Sequence, residues 1–214
     1  MRAPLLMIAA ALLGACAKSK PARQLELDAI RVTSDARLRT DTVGDAKFAS
    51  TATFVLVDAE NTAPDGAYVT LGGDLTASGG EVLGHLKPQS LWIPSGERRT
   101  FALVDTERLA RPTSTSARIV VRGALVPDEP PKARIADLHT FDDYGKTVVQ
   151  ANLVNDADRM GQIMVIASFH DADGRPMTRP FQMIEIDRRQ TTAVQFVGPQ
   201  GSKTGMIYVG DVIY

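Results

Sequence analysis

The chain has 214 residues with 24 basic and 25 acidic side chains, a net charge of −1. That balance, with no basic cluster, excludes the electrostatic footprint of a nucleic-acid partner. A single cysteine, Cys16, excludes an internal disulfide framework, so stability has to come from burying part of the 44% of residues that are hydrophobic.

In chain order, the opening segment "MRAPLLMIAA ALLGAC" places basic Arg2 before an apolar run from Leu5 to Leu13, with small residues ahead of Cys16. This is the pattern of a secretory signal, too short to span a bilayer as a finished helix. Its last four residues, Leu13-Gly14-Ala15-Cys16, resemble the lipobox of bacterial lipoproteins. The resemblance implies that residues 1–15 are removed and that Cys16 becomes the first mature residue. Its thiol would then be diacylated with chains such as palmitate. Each buried methylene contributes about 0.8 kcal/mol, so two or three chains anchor the protein stably without spanning the membrane. The expected address is the cell envelope. Ala17 is permissive for the outer membrane, which is preferred, whereas Lys18-Ser19 resembles an inner-membrane retention pair.

Residues 16–24 are polar and form the expected tether. A second break, "VPDEPPK" at 126–132, holds three prolines in seven residues and acts as a short semi-rigid linker. Between and after these breaks, residues 25–125 and 133–214 are rich in short β-branched and apolar runs separated by Gly, Asp, Asn and Pro. The strand candidates in the first segment are "TFVLVDA", "AYVTLGGDL", "QSLWIP", "TFALV" and "SARIVVRGA". In the second they are "TVVQANLV", "QIMVIASF", "PFQMIEI", "TTAVQFV" and "GMIYVGDVIY". The expected fold class is all-β, with two tandem Ig-like or FnIII-like β-sandwich domains.

The two series superimpose at an offset of 94 residues. Asn61, Leu75, Gly80 and Leu83 fall against Asn155, Phe169, Gly174 and Met177. After one deletion, Phe101 and Leu103 match Val194 and Phe196. Apolar periodicity carries most of this repeat. The outline Asn155, Phe169, Asp171, Gly174 also resembles the FxLYD-type β-sandwich domains of bacterial envelope proteins, over about 60 residues. That resemblance implies a small sandwich and no defined catalytic residues.

The densest apparent motif is "SFHDADGRPM", Ser168 to Met177. As an EF-hand it fails. With Gly174 at position 6 the first and last ligand positions fall on Phe169 and Pro180. Asp-Gly between apolar runs is instead a hairpin signal, and exposed turn polarity is the expectation for His170. A transition metal held by His170, Asp171 and Asp173 is the alternative. "GPQGSKTG" lacks the order and the following helix of a phosphate loop. His139 near Asp142 and Asp143 has no nucleophile to serve. Trp92 is expected in a core, and Arg98/Arg99 and Arg188/Arg189 as solvated loop charges.

The expected function is therefore non-enzymatic: a membrane-anchored envelope lipoprotein, lipidated on Cys16 and using no cofactor, whose two modules act as a protein-binding or spacer component. The alternative is a small-ligand, metal or glycan binder using the acidic loops of the second domain. Exposure of Trp92 beside another aromatic would favour the glycan.

Overall fold

A computed structural model describes residues 23–44, 47 and 49–214. The signal segment 1–15, the lipidation site Cys16 and the tether up to residue 22 lie outside the described residues. The chain is all-β, with 66% of residues in strands and 2% in helix. In chain order the elements are β1 (Arg23–Gln24), a 3-10 turn (Leu27–Ala29), β2 (Ile30–Val32), β3 (Arg37–Val43), β4 (Ser50–Asn61), β5 (Ala67–Thr76), β6 (Val82–Ile93), β7 (Arg98–Val104) and β8 (Ser116–Val126). After the Pro-rich segment come β9 (Ala133–Asp143), β10 (Lys146–Asn155), β11 (Gly161–His170), β12 (Pro176–Thr178), β13 (Phe181–Ile186), β14 (Thr191–Gln200) and β15 (Thr204–Ile213).

All strand pairs are antiparallel and form four sheets. In the first half, β4 pairs β2 and β3 along one edge and β7 along the other, while β5 pairs β6 and β8. In the second half, β10 pairs β9 and β14, while β11 pairs β12 and β13 on one edge and β15 on the other. The connection order is the same in both halves. So are two local devices. The Nδ2 of Asn61 donates to the carbonyls of Asp65 (2.8 Å) and Ile93 (3.0 Å), and its Oδ1 accepts from Ala63 N–H (3.1 Å). Asn155 makes the same set with Arg159 (3.0 Å), Ile186 (3.3 Å) and Ala157 (3.0 Å). Each is a short polar side chain closing the turn that leaves a central strand. The turn of "SFHDADGRPM" also recurs. Asp171 N–H bonds Arg175 O and Gly174 N–H bonds Asp171 O, as Ala77 does with Glu81 and Gly80 with Ala77. Gly174 and Gly80 both take positive φ, +77° and +83°, which a glycine adopts without steric cost.

Alternation along the strands fills the core. Ala67, Val69, Leu71 and Leu75 of β5 are fully buried, together with Val55, Val57, Phe101 and Leu103. Val149, Leu153, Ile163, Val165 and Phe169 do the same in the second half. Two strands depart from alternation. β4 and β11 are buried on both faces, including Leu56, Asp58, Ile166, Ser168 and His170 on the faces turned away from their own cores. The reason is that these two outer faces cover each other. Ile166 and Tyr208 of the second half accordingly belong to the first half's apolar cluster, with Met164 and Met206 packed against it. Among the described residues no helix is long and apolar enough to cross a membrane.

Candidate functional site

The face shared by the two halves holds the buried polar side chains of Asp58, Thr100 and His170. Asp58 stands on the outer face of β4, directly opposite Thr100 of β7, and His170 ends β11. The sequence expectation of an exposed turn histidine is corrected here, since His170 is 4% exposed and Asp58 1%. His170 Nε2 lies 2.9 Å from Asp58 Oδ2, and Thr100 Oγ1 donates to Asp58 Oδ1 at 2.6 Å. The contact to a carboxylate places a ring proton on Nε2. Arg98 adds a positive charge, its Nη1 3.9 Å from Asp58 Oδ2. A buried carboxylate requires such compensation.

Threonine, histidine and aspartate are also the residue types of a nucleophilic relay, but the arrangement differs from one. In a relay the imidazole uses one nitrogen for the carboxylate and the other for the hydroxyl. Here the same Nε2 faces both, with Thr100 Oγ1 3.5 Å away, and the hydroxyl proton is directed at Asp58. The chemistry this cluster supports is structural, tying β4, β7 and β11 together.

Around it the contacts between halves continue. Arg37 Nη2 meets Asp171 Oδ2 at 2.9 Å. Tyr208 donates its hydroxyl to Thr100 O at 2.6 Å, and Arg179 Nε donates to the same carbonyl at 2.7 Å. The guanidinium of Arg99 stacks over the Tyr208 ring at 5.1 Å while Arg99 Nη2 pairs with Glu97 at 2.6 Å. Arg99, expected as a solvated loop charge, is largely buried. Its neighbour Arg98 remains half exposed.

The residues proposed from sequence as a metal set are not brought together. His170 turns to Asp58. Asp171 Oδ1 accepts from the backbone N–H of Asp173 (3.0 Å) and Arg175 (2.9 Å), and its Oδ2 faces Arg37. Those backbone donors, with the Arg37 and Arg175 charges, hold the Asp171 carboxyl below the usual carboxylate range against a smaller opposing effect of burial. Asp173 pairs with Arg175 in solvent at 3.2 Å. Among the described residues, no group of three or more His, Cys, Asp or Glu side chains is placed to hold a metal. His139 is exposed on β9, and Asp142 Oδ1 caps the hairpin at Gly145 N–H (3.1 Å).

The sequence matches no protein-family model, and no curated protein matches it.

A second feature lies beside the junction. Trp92, expected in a core, is half-buried on the outer face of β6, where its ring packs against Tyr68 with centroids 5.4 Å apart and planes tilted 58°. A Cβ at Gly66 would meet the far edge of the indole at 2.4 Å, so the ring occupies space that only a glycine leaves open. Trp92 and Arg99 line a cleft of 730 Å³ bounded by the linker residues Pro130 and Pro131 and by Tyr208.

The Asp58–His170 contact was missed by sequence reasoning, although a signal existed. "TFVLVDA" and "QIMVIASF" are unbroken apolar runs, the pattern of strands buried on both faces. A polar residue at the end of such a run is thereby placed for burial.

Proposed function

We propose that the chain is a lipid-anchored envelope protein, held in the outer membrane through Cys16, whose two β-sandwich modules form one non-catalytic body that presents a sheet edge to a protein partner. The observation that carries this reading is the buried junction. Asp58, Thr100, His170 and Asp171 are committed to holding the halves together or to capping turns. The matching strand order, the Asn61 and Asn155 bonds and the paired turns support reading the halves as two copies of one module, the second resembling FxLYD-type domains. The acidic-loop alternative has less support, because oxygens of Asp142 and Asp171 are engaged by backbone amides.

The best edge for a partner is that of β8. Its partner on that side, β1, covers only Leu125 and Val126, with Leu25 N–H reaching Ala124 O. Among the described residues no strand pairs that edge from Ser116 to Gly123. An added strand would complete these backbone hydrogen bonds. Half-exposed Val120 lies in the same stretch, between Arg118, which pairs with Asp74 of β5 at 2.5 Å, and Arg122, which lies over Gly72 of β5. A photoreactive residue in place of Val120, irradiated in intact envelopes, is expected to give one discrete adduct with another protein. If no adduct forms there while Cys16 is lipidated, the β8 edge is not the binding surface.

A further inference from the structure

We propose that the end of the molecule carrying Trp92 rests on the bilayer in which Cys16 is anchored, with Trp92 and Tyr68 at the level of zwitterionic lipid headgroups. This inference rests on the lipid-anchor reading of Cys16.

The first argument is reach. Arg23 is seven residues beyond Cys16, and seven extended residues span at most about 25 Å. Arg23 pairs with Val126, and the next step of the register runs Gln24, Leu125, Tyr68, Trp92 across four adjacent strands. At about 4.8 Å between strands, Trp92 lies roughly 15 Å from Gln24. Trp92 is therefore within about 40 Å of Cys16, and a bilayer holding Cys16 can reach the whole row.

The second argument is chemistry. Tyr68 and Trp92 combine an apolar body with a polar tip, the property that concentrates such residues at headgroup depth. Leu125, their neighbour in the row, is 41% exposed. Burial, and then the charge of Asp211 near the end of β15, push the Tyr68 hydroxyl's pKa up. There Ile213 is 63% exposed and Tyr214 packs under Arg159. Exposed apolar side chains beside a largely apolar cleft are what a lipid surface can cover.

The third argument is charge. Two opposite pairs stand here, Arg23 with Asp65 at 2.8 Å and Lys132 with Glu129 at 3.5 Å, and the remaining Arg159 and Asp211 carry one charge of each sign. Such a face gains nothing from an anionic surface and loses nothing on a zwitterionic one. The competing occupant of an aromatic pair, a glycan, is separated from lipid by the test.

Trp92 is the only tryptophan, so intrinsic fluorescence reports this face alone. The full-length protein, purified from envelopes, is placed in phosphatidylcholine vesicles whose lipids are brominated high in the acyl chain. The mass of its N-terminal peptide is measured in parallel. The expected result is a lipidated protein that floats with the vesicles and loses roughly half its Trp92 emission to the bromines, independently of salt. Leu125→Asp, a change at an exposed position, should weaken the quenching and leave flotation intact. A lipidated protein that floats with unquenched Trp92 overturns the surface while keeping the anchor. An unlipidated chain that stays in solution overturns the anchor and the inference with it. Unquenched Trp92 whose emission shifts with peptidoglycan fragments assigns the face to a glycan instead.

Discussion

At the end of β11 two neighbouring residues go opposite ways. His170 turns inward to Asp58, whereas Asp171 stays at the rim, where its carboxylate holds the turn amides and meets Arg37 across the junction. The backbone N–H of Arg175 is the largest influence on Asp171, and together with the positive neighbours it keeps the carboxyl below its usual range. A carboxyl whose folded pKa is depressed contributes stability that is fully present above its unfolded value, about 3.9. That contribution is lost as pH falls through the lower folded value. Asp171→Asn should therefore lower the urea midpoint at neutral pH and flatten its decline between about pH 4 and pH 2. Urea titrations across that window check it, and parallel curves for the two proteins would contradict it. The turn itself was legible in the sequence, because Asp-Gly between apolar runs has one cheap backbone solution. The direction of His170 was not, because its partner Asp58 is 112 residues away.

Among the elements, those with regular alternation or unbroken apolar runs were readable, and those at sheet edges were not. β3 is polar and largely exposed, so its pattern carries no period. β9 is an edge strand interrupted at Asp137, which takes φ +52° where the register against β10 shifts between Gln150 and Asn152. A bulge there inverts the alternation after Ile135, so Phe141 falls opposite Val148 on the outer face and is exposed. The β9–β10 hairpin closes through Tyr144 and Gly145 at φ +50° and +80°, the conformation of a two-residue turn that favours Asn-Gly. Tyr144 is 93% exposed and has little packing to lose. Tyr144→Asn should stabilise the protein by about 0.5–1 kcal/mol, read as a raised thermal midpoint. A lowered midpoint would show that the Tyr144 ring contributes contacts of its own.

For the molecule as a whole, the all-β class and the ten candidate strands followed from local pattern. The contact between halves did not, because it is made by the outer faces of β4 and β11, which in an isolated sandwich would face water. Buried Ile166 and Tyr208 extend the first half's core into the second, and the Asp58–Thr100–His170 cluster closes the same face. Removing His170 leaves a buried carboxylate short of its partner, a loss of about 3 kcal/mol. The Pro-rich segment joins the halves in sequence, but it is this face that packs them against each other. Differential scanning calorimetry of the full chain in detergent tests that claim most directly. The account predicts one cooperative transition, with calorimetric and van't Hoff enthalpies equal, whose midpoint falls in His170→Ala. Two separate transitions in the unaltered protein, or a His170→Ala midpoint unchanged from it, would contradict the account.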